Sequence, residues 1–304
     1  MPRLQKDNVM KLFSVSIPLL LTFLVVSCGS YAQGESPDIK GPYLGQKPPG
    51  STPEVFAPGI VTTKGYEYGG VFTPDMKEFY FIKGDAENKK QEFVVFQNIN
   101  NQWRETVLGP RIGQPFISPD GKTMHLGKRY KERTEDGWSE RKSLGAPFED
   151  IPIMRLTASS KGTYYFDTYD EQKEDFPIRY SRLIDGKYEK PRVLSKEINT
   201  GTQLNHPFIA PDESYLIWDA KRDGGFGDSD IYISFRQQSG SWGEAINLGD
   251  KINTEAWDAA ASVTPDGKYI LFHRTISPGN EDTLPNVDIF WVDAQIIEDL
   301  RPKP

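Results

Sequence analysis

Short apolar runs recur along this chain, and each follows a turn built from small and polar residues. The turns are Thr73-Pro74-Asp75-Met76-Lys77, Ser118-Pro119-Asp120-Gly121-Lys122, Ser159-Ser160-Lys161-Gly162-Thr163, Ala210-Pro211-Asp212-Glu213-Ser214 and Thr264-Pro265-Asp266-Gly267-Lys268. Pro fixes φ, Asp bonds its own backbone and Gly accepts positive φ, so this is turn chemistry. The apolar runs are Phe79-Tyr80-Phe81-Ile82, Thr123-Met124-His125-Leu126, Tyr164-Tyr165-Phe166, Tyr215-Leu216-Ile217-Trp218 and Tyr269-Ile270-Leu271-Phe272. They do not alternate apolar with polar, which predicts strands covered on both faces.

A further strand is predicted after each run: Phe93-Val94-Val95-Phe96, Ile178-Arg179-Tyr180-Ser181, Asp230-Ile231-Tyr232-Ile233 and Asp288-Ile289-Phe290-Trp291. The second copy is worn at this point, with only residues 128–135 available. A last element pairs an aromatic with a leucine: Trp103 and Leu108, Trp138 and Leu144, Tyr188 and Leu194, Trp242 and Leu248. The third position of each turn (Asp75, Asp120, Lys161, Asp212, Asp266) recurs every 41 to 54 residues, the period of propeller blades carrying insertions. The fifth copy lacks its last element and ends in a short helical tail after Trp291. The segment 53–60 before the first copy can supply it, closing the ring without a long open edge. The expectation is an all-β chain, a β-propeller of five four-stranded blades over residues 53–302, with six blades as the alternative.

Ser118-Pro119-Asp120-Gly121-Lys122 and residues 264–272 resemble the WD-repeat-like, TolB-type β-propeller repeat of exported bacterial proteins, and Asp230-Ile231-Tyr232 and Gly240-Ser241-Trp242 extend the likeness. Pro42-Tyr43-Leu44-Gly45-Gln46 and the tail 296–304 are similar to exported single-propeller proteins of Bacteroidetes-type bacteria. The resemblance implies the fold. It implies no activity, because related propellers bind proteins, bind glycans or stand beside catalytic domains.

The first residues change the expected address. Residues 12–27 are largely apolar and follow Lys11, the pattern of a secretory signal rather than a membrane span. Val25-Val26-Ser27-Cys28 resembles a lipobox, making Cys28 the expected lipid attachment; Ser30-Tyr31-Ala32 is a competing cleavage site that would extend the signal from residue 28 to 32. Residues 29–52, rich in Gly, Ser and Pro, are expected to form a flexible tether. The product would be an exported monomer in the periplasm or at the outer membrane, touching the membrane only through its lipid. Cys28 is the sole cysteine, so no intramolecular disulfide is possible. The net charge of −7 disfavours nucleic acid as a partner.

Propeller topology sorts candidate residues by face. The turns lie on one face, and Asp75, Asp120, Asp212 and Asp266 are turn formers there. The opposite face collects Glu67, Arg155, Asn205, His206, Trp257 and Asp258 from the inner strands, and Asp219, Arg222, His273 and Arg274 from the strand that follows. Gln114, Tyr68, Lys83, Lys128, Arg129, Asp167 and Tyr169 belong to the same sets. These residues are expected to ring the mouth of the central channel, a common place for a propeller ligand. Aromatics and Arg beside carboxylates suit a sugar, neutral or anionic.

His125 falls inside a strand and is expected to be packed. Asp223-Gly224-Gly225-Phe226-Gly227-Asp228-Ser229-Asp230 departs from the EF-hand spacing, no two histidines have metal-ligand spacing, and there is no nucleophile elbow or phosphate loop, so neither a metal nor a cofactor is expected. Two functions fit: a non-catalytic propeller binding an envelope protein or glycan, and a glycan-active enzyme using carboxylates at the channel mouth.

Overall fold

The computed structural model describes residues 38–85, 89–169 and 176–303. The signal, Cys28 and the beginning of the expected tether lie outside them. The structure is all-β in character, with 49 % of residues in strands and 4 % in helix, and the only α-helix among the described residues is Gln295–Leu300, at the expected tail.

The repeat folds as successive antiparallel units. In the first, Tyr66–Phe72, Glu78–Gly84, Gln91–Ile99 and Gln102–Pro110 pair in sequence order. Pro115–Ile117, Thr123–Leu126 and Arg129–Thr134 begin the second, and the short strands Gly137–Trp138 and Lys142–Ser143 both pair with Arg129–Thr134. The worn copy therefore does form its third strand. Ile153–Ala158, Tyr164–Thr168, Arg179–Ser181 and Arg192–Val193 make the third unit; Thr202–Ile209, Tyr215–Lys221, Asp230–Phe235 and Ile246–Asn247 make the fourth. The fifth has Asp258–Val263, Tyr269–Ser277 and Asn286–Asp293, and Glu54–Val55 pairs with its last strand, Glu54 opposite Trp291 and Val55 opposite Phe290. First strands of neighbouring units touch in chain order, and the fifth unit returns to the first through Val287 beside Tyr66. The chain is a β-propeller.

Each turn does what its residues dictate. The Oδ1 atoms of Asp75, Asp120, Asp212 and Asp266 accept the backbone N–H two residues on. Asp75, Asp120 and Asp266 also accept the hydroxyl of the Thr or Ser opening the turn. The runs after the turns are buried, as their lack of alternation predicts: Phe79, Phe81, Phe166, Leu216, Ile217 and Ile270 are each 0 % exposed.

Residues 38–52 correct the expected tether. Ile39–Lys40 forms a strand against Gln102 and Trp103 at the outer edge of the first unit, and the Trp103 indole donates to the Gly41 carbonyl at 2.7 Å. Tyr43 packs edge-on against Tyr269 at 5.0 Å, and its hydroxyl bonds the Asp266 carboxylate. Gln46 donates to the Val55 carbonyl at 2.9 Å and accepts from the Ala57 amide at 2.6 Å. Gly and Pro allow no more than a 3-10 turn at Tyr43–Gly45, but Ile39, Tyr43 and Leu44 give the segment an apolar side, and all three are buried. The stretch is therefore a strap over the seam between the first and last units.

Phe56 sits under that strap at 0 % exposure, with its ring 5.1 Å from Trp291, 5.0 Å from Phe79 and 6.0 Å from Phe72. Phe56→Ala is expected to cost about 3–5 kcal/mol of stability, the range for emptying a buried aromatic site. Denaturant unfolding with an unchanged slope would check it.

Candidate functional site

The first strands of the third, fourth and fifth units are bulged, and each bulge changes what the next backbone amide meets. Register shifts fall between Ile153 and Leu156, between Asn205 and Phe208, and between Ala259 and Ser262, with another between Tyr68 and Val71 in the first unit. His206 and Ala260 adopt positive φ at these kinks (52° each), and Gly69 stands at the matching place (68°). A kink frees backbone N–H groups from the ladder, and a buried N–H needs an acceptor.

Two carboxylates supply it. Asp167 accepts the Arg155 amide at 2.7 Å through Oδ1 and the His206 amide at 2.8 Å through Oδ2, joining the third unit to the fourth. Asp219 accepts the Ala260 amide at 2.9 Å and pairs with His206 Nδ1 at 2.8 Å, joining the fourth unit to the fifth. His206 Nε2 in turn lies 3.0 Å from the Tyr68 hydroxyl, so the chain of polar contacts crosses the channel to the first unit. His273 takes the place of these aspartates in the fifth unit, opposite Ala259, with its ring 4.5 Å from Tyr68 and 4.6 Å from Trp257. Arg155 reaches the Ala261 carbonyl at 3.2 Å.

Burial sets the ionisation of this cluster. It raises the Asp167 carboxyl despite the two backbone donors and the nearby His206. It lowers the Arg155 guanidinium, which Tyr68, Asp219 and Asp167 partly offset, and it drives the His273 imidazole well below the usual histidine range, aided by His206 and Arg155. The Tyr68 hydroxyl is pushed well above the ordinary tyrosine range.

The expected ring of site residues thus divides. Glu67, Arg155, His206, Asp219, Asp258 and His273 are buried, and do not face an open mouth as the sequence suggested. Arg155, His206, Asp219 and Asp258 meet backbone groups there, whereas both ring nitrogens of His273 have no partner. Asn205, Arg222, Trp257 and Arg274 stay partly exposed. The two arginines are already engaged. Arg222 donates to the Ile198 carbonyl at 2.6 Å and lies over the Tyr232 ring at 4.7 Å; Arg274 bonds Asp258 at 2.6 Å and the Ile252 carbonyl at 2.7 Å. The other Asp258 oxygen is held by the Thr254 amide and hydroxyl.

Glu67 differs from these. Its Oε1 accepts the Thr63 hydroxyl, whereas its buried Oε2 has no partner, and Asp288 Oδ1 is also buried and unpartnered. Burial raises both carboxyls, and Asp288 raises Glu67 further. The adjacency follows from the parallel contact of Val287 with Tyr66, one residue earlier in each strand. That pairing joins the chain's two ends, so the blade pattern read from sequence gave no sign of it.

Asp230 accepts from the Phe226 amide, the Gly227 amide and the Asn247 side chain, which accounts for its place at the head of a strand. Among the described residues no group of three His, Cys, Asp or Glu side chains is placed to hold a metal ion, and no helix is long and apolar enough to cross a membrane.

An open cavity of about 320 Å³ lies at the other end of the channel, on the turn face. Val71, Phe116, Phe208 and Ser262 line it from matching positions two residues before each turn, below Pro74, Pro119, Pro211 and Pro265. The signal for it was present in the sequence, in the residues at that offset.

No protein-family model and no curated protein matches the chain. Among solved structures it is similar to TolB from Acinetobacter baumannii (13 % identity, TM-score 0.45), over 76 % of this chain and 57 % of that one. A thermostable family-43 glycoside hydrolase aligns over 76 % of this chain and 91 % of its own, at 14 % identity and TM-score 0.46. The catalytic domain of the Coprinopsis cinerea GH62 α-L-arabinofuranosidase aligns over 81 % and 97 %, at 10 % identity and TM-score 0.49. This chain spans little more than half the length of that TolB.

Asp219→Ala removes the acceptor of two buried donors and is expected to destabilise the protein by about 3–5 kcal/mol, as for breaking a buried pair. Thermal and denaturant unfolding measure it. His125 gives a second test, because burial pushes its imidazole down to about 3. A depressed histidine contributes stability that is present above the unfolded pKa of 6.5 and lost as pH falls. Lowering the pH from 7 to 5 should therefore cost about 2 kcal/mol through this residue. The His125→Phe variant should lose that much less than wild type over the same interval.

Proposed function

We propose that this chain is an exported, membrane-anchored, non-catalytic β-propeller that binds a protein or glycan partner in the cell envelope. One observation carries the non-catalytic part: three of the four carboxylates expected at the channel mouth are already spent. Asp167, Asp219 and Asp258 each use both oxygens on backbone amides, His206, Arg274 or Thr254. A glycosidase needs a carboxylic acid and a carboxylate free to meet the bond being cut, and freeing any of these three would unfasten neighbouring strands. Binding requires only a rigid surface. Asn205, Arg222, Trp257 and Arg274 are the proposed contacts on the strand-end face, held in place by the buried members of the ring. The signal-like run 12–27 and Cys28 support export and lipid anchoring.

The second reading, a glycan-active enzyme, is favoured by Glu67 and Asp288. Each has an unpartnered buried carboxyl oxygen and a raised carboxyl, the property a general acid needs.

One experiment separates the two. The mature protein is incubated with a panel of plant and bacterial glycans, and products are followed by chromatography, beside partner capture from crosslinked envelopes. The expected outcome is no product from any glycan, with a captured partner lost from the Trp257→Ala variant. Turnover abolished by Glu67→Gln and Asp288→Asn would replace the binding reading with the enzymatic one.

A further inference from the structure

A slot of about 410 Å³ opens on the turn face between the second and third units. Its wall is formed by Asp120, Thr123, His125, Tyr164, Leu183 and Tyr188. No Lys or Arg side chain lines it. It shares Pro119 and Ser160 with the axial cavity, so the two are neighbours on one face.

His125 is the unusual member. It is 2 % exposed, its ring lies 5.1 Å from Tyr164 edge to face and 6.2 Å from Phe116, and its Nδ1 has no hydrogen-bond partner. Nδ1 is closed to solvent, so the ring presents its other nitrogen, Nε2, which is neither sealed nor hydrogen-bonded, to the slot whose wall it forms. The imidazole is neutral at physiological pH, and a neutral imidazole offers one N–H and one lone pair. It therefore suits a hydroxyl group, which both donates and accepts, better than an anion or a cation.

The remaining wall fits the same chemistry. Tyr164 and Tyr188 are stacked at 4.1 Å with a 21° interplanar angle, giving an aromatic wall with phenolic edges. Leu183, 40 % exposed, supplies an apolar lip. Asp120 uses Oδ1 on the Ser118 hydroxyl at 2.6 Å and the Lys122 amide at 3.0 Å, and no hydrogen bond engages Oδ2, which remains an acceptor. Apolar faces beside hydroxyl-binding edges, with no cation on the wall, select an uncharged polyhydroxylated ring. The volume lies in the range of small-molecule sites, about 300–1,000 Å³.

We propose that this slot is a binding subsite for a neutral saccharide unit, with His125 bonding a ring hydroxyl and Tyr188 and Leu183 covering the apolar face of the sugar. This deepens the binding function proposed above by giving its glycan partner a site on the turn face, away from the strand-end residues named there.

The full mature protein is titrated calorimetrically with cellohexaose, xylohexaose and mannohexaose, while the His125 imidazole resonances are followed by NMR and products by chromatography. The expected result is saturable binding of at least one hexasaccharide, with a shift of the His125 signals and no cleavage. His125→Phe keeps the ring packing but removes the nitrogens, and should weaken binding at least tenfold. Ser160→Trp, at an exposed position on the slot's edge, should do the same without touching the core.

Binding that leaves the His125 signals unmoved, or that both variants retain at wild-type strength, overturns the slot. Such a result leaves the wider binding function standing. Failure of all three hexasaccharides to bind overturns the slot as well, with a protein partner still captured from envelopes. Cleavage of a hexasaccharide together with the His125 shift supports the slot and sinks the non-catalytic reading.

Discussion

Asp167 and Asp219 hold this propeller together where its sheets come nearest to one another. Each bulged inner strand presents backbone amides that no ladder can satisfy, and each of these aspartates answers one in its neighbour: Asp167 the His206 amide, Asp219 the Ala260 amide. Hydrogen bonds to a charged acceptor contribute about 1.5–3 kcal/mol each, and the loss would be larger in a site this dry. The bulge, the acceptor and the inward turn of His206 are consequences of one another. Remove the carboxylate and the kink has no reason to persist.

That dependence explains why acidic, basic and aromatic residues can crowd a channel without forming an open ligand site. Propeller axes are narrow, and the polar groups that converge there first satisfy the backbone. Arg274 and Asp258 follow the same logic at the edge of the cluster, where the guanidinium also reaches the Ile252 carbonyl. The carboxyls left over, Glu67 and Asp288, stand at the seam where the last unit meets the first. A concave surface instead opens on the turn face, between the turn prolines and the side chains of Val71, Phe116 and Phe208.

The seam itself is fastened twice. Glu54–Val55 adds a strand to the last unit, and the strap from Ile39 to Gln46 crosses to Trp103 on one side and Asp266 on the other. Phe56, Tyr43 and Trp291 fill the space between them. Much of the closure comes from residues ahead of the repeat, so the segment expected as a spacer is part of the fold.

Local chemistry determined a great deal by itself. Turns of Pro, Asp and Gly fix where strands reverse, and uninterrupted apolar runs mark strands covered on both faces. Together they gave the repeat, the order of strands and the N-terminal strand of the last unit, because each depends only on neighbours in sequence. Tertiary structure decided the rest. A bulge is one extra residue whose effect depends on what packs beside it, so the sequence could place His206 and Asp219 near the channel but not say that they would face each other. Only the closed ring set Val287 beside Tyr66, and so brought Asp288 to Glu67. Packing of two units made a cavity wall of His125, which the sequence read correctly as buried and could not show to be unpartnered. The order in residues 38–52 has the same origin: composition describes a segment alone, whereas burial of Tyr43 and Leu44 depends on a surface formed by strands more than two hundred residues away.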